Sequence, residues 1–189
     1  MSVFSIRERD VRTQYSCQDN LDKSRDFPYH GRVPMFLTTH AAIGVLLAEA
    51  FPSHPLLAFF LGFGVHFLTD IIPHGDSLIY KGYVTGTKMK RAVAFVTIDG
   101  VICLCFTLLV VNTGMYENLR TTSWAIFGSV LPDLLIAVHE VTRNKVLKRF
   151  HRVHFFFHNL VTSKRGDIQY ASGFAMQMVF MAAVLSRLG

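Results

Sequence analysis

Five long apolar runs, each separated from the next by a polar segment, leave this chain few folds to choose from. They are MFLTTHAAIGVLLAEAF (35–51), HPLLAFFLGFGVHFLTDII (54–72), AVAFVTIDGVICLCFTLLVVN (92–112), TTSWAIFGSVLPDLLIAVHEV (121–141) and IQYASGFAMQMVFMAAVLSRL (168–188). A helix that crosses a bilayer needs about 20 mostly apolar residues, within a range of about 17–25. All five runs fit, the first at the short limit. The expectation is an all-α protein: an integral membrane bundle of about five spanning helices, plus an amphipathic His-rich helix between the fourth and fifth. Residues 1–34 are polar and mixed in charge, and are expected to form a flexible cytoplasmic tail, either an accessory extension or a start assigned too early. Residues 35–189 are expected to form the transmembrane helical domain. No signal peptide is expected ahead of the first span.

Charge orients the bundle. The chain carries a net charge of +6, and a basic excess is one mark of nucleic-acid binding. Here, however, the charge lies in loops between apolar spans, so the expected partner is the lipid bilayer and not nucleic acid. Every Lys and Arg except Arg120 and Arg187 falls in the tail, in 73–91 or in 142–167. These basic segments alternate with the poorly charged turns 52–53 and 113–120, as five spans require. The positive-inside rule then places the N-terminus and both basic segments in the cytoplasm, giving a multi-pass protein, of the inner membrane if the source is bacterial. The three cysteines make no zinc-ribbon or redox motif, and Cys103 and Cys105, two apart, point to different sides of their helix.

This orientation uses neither His nor Asp, so those residues test it. At about 1.5 Å per helical residue, His40, His66, Asp70, Asp99, Asp133 and His139 all fall within about 3–12 Å of the cytoplasmic edge. Only Glu49 and His54 lie at the other face. A charge in the bilayer interior costs about 2.5–3.5 kcal/mol on insertion scales. Several at one depth, on four spans, make sense if they face one another and share a ligand. A divalent metal binds neutral His and ionised Asp together. His66 and Asp70 are an i,i+4 pair on one helix face. His74 and Asp76 follow Pro73 and can fold over the mouth of the site. His151, His154 and His158 form an i, i+3, i+7 row on a helix whose basic residues, Lys148, Arg149 and Arg152, suit the membrane surface. Each residue also has a plain structural use: His40 as an interfacial cap, His66 with Asp70 as a helix brace, Asp99 as a partner of a basic loop residue, Asp133 as a cap where Pro132 breaks a helix, and the His row as a face on anionic lipid.

The Thr39-His40 opening of the first run, HFLTDIIPHGD (66–76), GSVLPDLL (128–135) and FHRVHFFFH (150–158) together resemble the membrane-bound metal-dependent hydrolases of the inner membrane. The resemblance covers roughly 35–165. It implies a metal held by His40, His66, Asp70, Asp133 and the late His residues. The chain differs from that family's pattern at Leu134 and Leu135, where an Asp and a His commonly follow the Leu-Pro-Asp, and at Val153.

The reading that follows is a metal-dependent membrane hydrolase acting on a phosphoester or lipid headgroup. Zinc is the first expectation for the metal, with iron or manganese as alternatives. His66, Asp70, His154 and His158 are the preferred ligands, with His40, His74 and Asp133 next. Asp76 or Asp99 is expected to act as general base or to orient a ligand. The rival readings are a di-iron or haem redox protein and a non-catalytic membrane scaffold. No nucleotide loop, G-x-S-x-G or H-E-x-x-H motif is present.

Overall fold

The computed structural model describes residues 36–73, 89–165 and 168–188. Within them the chain is helical and forms no strand. The helices are α1 (Leu37–Ala50), α2 (Pro55–Thr69), α3 (Met89–Thr113), α4 (Leu119–Thr142), α5 (Lys145–Arg165) and α6 (Tyr170–Leu188). The all-helical expectation and the amphipathic helix after the fourth run are therefore met. Two helices, α4 and the Val93–Thr113 part of α3, are long and apolar enough to cross a membrane. The other three runs make shorter apolar helices. With 14 and 15 residues, α1 and α2 are roughly 21–23 Å long, against about 30 Å of hydrocarbon. The apolar runs overstate helix length because their ends are turns: Phe51 is the C-cap of α1, Pro55 opens α2 at its first turn, and Asp70 is the C-cap of α2.

Helix α4 is central, packing along α2 and α1 and against α5. Small residues let the backbones approach. A Cβ on Gly62 would lie 2.6 Å from Ser129 Oγ and 2.7 Å from the Ala125 carbonyl oxygen. One on Gly44 would lie 2.8 Å from Ile126 Cα, and one on Gly128 would meet the Phe59 carbonyl. Ala48, Ala58 and Ala125 fill the rest of this seam, and Ala41, Ala42, Val45, Ile126 and Val130 join Cys103, Phe106 and Val110 of α3 in the main core. Close packing through Gly and Ala is how helices associate where no hydrophobic force separates them from their surroundings. Pro132 sits inside α4, which runs on to Thr142. Asp133 therefore projects from a continuous helix and caps no broken end.

The N-terminus of α1 has no side-chain cap of its own. Two distant helices supply one. Asp99 of α3 accepts from Leu37 N at 2.7 Å and from Thr38 Oγ1 at 3.1 Å. Gln177 of α6 accepts from Phe36 N at 3.0 Å and from Thr39 Oγ1 at 3.2 Å. These bonds satisfy donors that the first turn of any helix leaves open. They also fix the start of α1 one turn before His40. Cys103 is buried and Cys105 exposed, as their two-residue spacing predicts.

Candidate metal centre

Four helices deliver six side chains to one point: His40 from α1, His66 and Asp70 from the end of α2, Asp133 from α4, and His154 with His158 from α5. His40, His66, Asp70, His154 and His158 are at most 2% exposed, and Asp133 is 7% exposed. One donor atom from each of His66, Asp70, Asp133 and His154 lies within 4.8 Å of the others. Around Asp70, His40 Nε2 is 3.2 Å from Oδ1, while His66, His158 and His154 Nε2 are 3.0, 3.0 and 3.6 Å from Oδ2. Around Asp133, His40 Nε2 is 3.9 Å from Oδ2, and His66 and His154 Nε2 are 3.6 and 3.5 Å from Oδ1.

The proton positions decide what these contacts mean. His66 Nδ1 is 2.7 Å from the Ser129 carbonyl oxygen, which only accepts. The ring proton of neutral His66 therefore sits on Nδ1, and Nε2 faces Asp70 as a lone pair. His40 Nδ1 is 3.4 Å from Thr69 Oγ1, whose own proton goes to the His66 carbonyl at 2.8 Å or the Val65 carbonyl at 3.1 Å. The Thr69 oxygen is thus left to accept, and His40 too turns a bare Nε2 inward. Accordingly, neither Nε2 of His40 or His66 nor either oxygen of Asp70 makes a hydrogen bond. Lone pair faces lone pair in a dry interior, an arrangement that costs several kcal/mol unless positive charge lies between. Protonating two rings would balance the two carboxylates in charge but leave the other two imidazoles with no proton to offer them, and charging both His40 and His66 would set like charges together, because their rings stack with centroids 4.0 Å apart. Burial pushes the His154 imidazole well below its ordinary range, which favours the neutral ring that a metal ligand must be.

A divalent cation fits. Two donors bound at about 2.0–2.1 Å to a tetrahedral ion stand about 3.3 Å apart, and the N···O distances above bracket that value. The Ser129 carbonyl and Thr69 hydroxyl are the outer partners that ligating imidazoles require. The buried His/Asp group can therefore hold a metal ion, and its nitrogen and oxygen donors without thiolate suit several divalent metals.

Of the residues singled out from sequence, the structure gathers His40, His66, Asp70, Asp133, His154 and His158. It places Asp99 elsewhere, with both oxygens engaged at the start of α1. His74 and Asp76 lie outside the described residues. His151 turns away from the cluster: its Nε2 is 3.3 Å from Glu140 Oε1, and its ring lies 4.9 Å from that of His139. His139 Nδ1 bonds the Asn144 carbonyl at 3.2 Å, and Arg143, at φ 53°, pairs with Glu140 at 2.9 Å. These contacts set the α4–α5 turn that returns His154 and His158 to the site. Sequence reasoning missed Thr69, Ser129 and Gln177. Thr69 stands three residues after His66 and had a usable signal. Ser129 contributes a backbone carbonyl, which no side-chain motif records.

A scan of protein-family models finds none that matches the chain, and no curated protein or solved structure matches it.

Proposed function

We propose that this chain is a membrane-embedded, metal-dependent hydrolase acting on a phosphoester or lipid-type substrate near the cytoplasmic face. The observation that carries the reading is the convergence of four buried imidazoles on two buried carboxylates, a donor set that suits a cation. Zinc is our first choice, with iron or manganese able to take the same donors. Such an ion supplies a water acidic enough to yield a nucleophile at neutral pH. The chain's own residues do the rest: Asp70 and Asp133 provide charge, His66 and His40 are aimed by Ser129 and Thr69, and His154 and His158 close the site from α5. Asp76, three residues past Pro73, is our choice for general base.

Membrane embedding is supported by α3. Its spanning window is only 17% buried, with Val93, Val96, Ile98, Val101, Ile102 and Leu104 exposed. A core helix of a water-soluble protein would be covered, and an apolar face this long marks contact with lipid or a partner. We read α1, α2 and α6 as the remaining spans, with bilayer thinning or flanking residues making up for the short helices. Helix α5 fits an interfacial position. Val146, Val153 and Leu160 form an exposed apolar edge at seven-residue spacing, and Lys148, Arg149 and Arg152 are exposed alongside. Those cations would gather anionic substrate at the site.

A di-iron redox centre uses similar donors and is separated by visible absorption of the aerobically purified protein. A haem fits poorly, because the carboxylates occupy the space between the imidazoles where a macrocycle would lie. The direct test is hydrolysis by purified protein in lipid vesicles, offered phosphomonoester and phosphodiester headgroups. Phosphate or alcohol release that needs added metal and vanishes in Asp70→Asn is expected. A metal-loaded, folded protein inert to the whole panel would count against the hydrolase assignment.

A further inference from the structure

We propose that the cluster is built for two divalent ions bridged by Asp70 and Asp133, and that the pair takes a phosphoryl-type anion as ligand. This rests on the metal-site reading above and goes beyond it in number and in ligand class.

The two carboxylates divide their oxygens in the same way. Asp70 turns Oδ1 to His40 at 3.2 Å and Oδ2 to His66 and His158, each at 3.0 Å. Asp133 turns Oδ2 to His40 at 3.9 Å and Oδ1 to His154 and His66 at 3.5 and 3.6 Å. Two donor groups result. One is His40 with an oxygen from each Asp. The other is His66, His154 and His158 with the opposite oxygens. The first offers three protein donors and so keeps a position open for substrate, as catalytic sites do.

The imidazoles supply the spacing. The His40 and His66 rings are stacked 4.0 Å apart and only 28° from parallel. Their Nε2 atoms reach different oxygens of Asp70, His40 at 3.2 Å from Oδ1 and His66 at 3.0 Å from Oδ2, so the two rings serve separate donor groups. Ion pairs in two-metal hydrolytic sites are separated by about 3.5–4 Å. Donor supply agrees. Four imidazole nitrogens and four carboxylate oxygens converge, while one tetrahedral ion uses four donors. Two ions use this donor set more fully than one.

Charge names the ligand class. One divalent ion is neutralised by Asp70 and Asp133. Among the described residues of the cluster no third carboxylate faces a second ion, and in a site where little water can screen it that charge is relieved by an anion. A phosphoryl group, with several oxygens able to reach both ions, meets the requirement.

The test begins with wild-type protein saturated with Mn²⁺, freed of loose metal by gel filtration and analysed for metal per chain. Two ions per chain, with an exchange-coupled paramagnetic resonance spectrum, are expected. His40→Ala, which removes the one imidazole of the first group, should hold one ion and give an uncoupled spectrum. One ion per saturated wild-type chain, with an isolated-ion spectrum, would overturn the two-ion proposal and leave a metal site standing. No bound metal at all would overturn both. Inorganic phosphate is then added to the loaded wild type. A raised melting temperature there, absent in His40→Ala, is expected, and no shift in the wild type would overturn the anion assignment. The resonance measurement needs no variant, so poor folding of His40→Ala does not spoil the test.

Discussion

At the scale of the residue, the account turns on where each proton sits. Asp70 touches four imidazoles, so Asp70→Asn replaces an anion with a neutral amide at the point of greatest convergence. Metal content should fall to background while the far-ultraviolet helical spectrum persists, checked by elemental analysis and circular dichroism. Thr69→Val removes the acceptor that aims His40 without touching the ligand set. Loss of such an outer partner weakens metal affinity about 10–100-fold, measurable by competition with a chelating dye. Asp99 gives the opposite pattern. Its oxygens serve α1, so Asp99→Ala should cost about 1 kcal/mol of stability, the usual worth of a cap, and leave metal content unchanged. Depth counting and the i,i+4 spacing made His66 with Asp70, and the shared level of His40 and Asp133, legible in the sequence. The same depth argument could not tell Asp99 from Asp133, because both lie inside apolar runs at similar depth. What separates them is which neighbouring helix each meets, and that is a property of packing.

At the scale of the element, glycines decide the geometry. Gly62 stands one turn before His66, and its closeness to Ser129 is what brings the His66 ring within 2.7 Å of the Ser129 carbonyl. Gly62→Ala would force α2 away from α4, at a cost of roughly 1–3 kcal/mol for overpacking. It should also lengthen that hydrogen bond and weaken metal binding, though Gly62 touches no ligand atom. Thermal melts with and without metal check this: the variant should lose more stability in the metal-loaded form than in the stripped form. The amphipathic helix was legible from its His row and basic residues, including the turn of His154 and His158 to one face. The pairing of His151 with Glu140 was not, since an i, i+3, i+7 row runs about 10 Å along the helix axis, far enough for its first member to meet a different neighbour. Helix lengths were legible only from above, because hydropathy counts Phe51, Ile71 and Ile72 as apolar whether or not they are helical.

At the scale of the whole molecule, a metal held by the cluster would tie together helices that otherwise meet mainly through small side chains. The side chains of the cluster come from α1, α2, α4 and α5, so metal binding would link four helices at a single place. Chelation should therefore lower the melting temperature of the full bundle cooperatively. A ligand present at a thousand times its dissociation constant stabilises by about 4 kcal/mol, and the shift should reverse when metal is restored. The apolar surface of α3 and the edge of α5 predict that the chain partitions with membranes and resists extraction by carbonate or high salt. Fold class was legible because apolar run length is a property of the chain alone. The number of crossings depends on how short helices sit in the bilayer, which sequence does not record. The most direct test of the central claim is elemental analysis of detergent-purified wild type beside Asp70→Asn, each shown to be folded. The account predicts at least one tightly held divalent ion per wild-type chain and background metal in the variant. Equal metal content in the two proteins, or a wild type that binds none and melts identically in chelator, would contradict it.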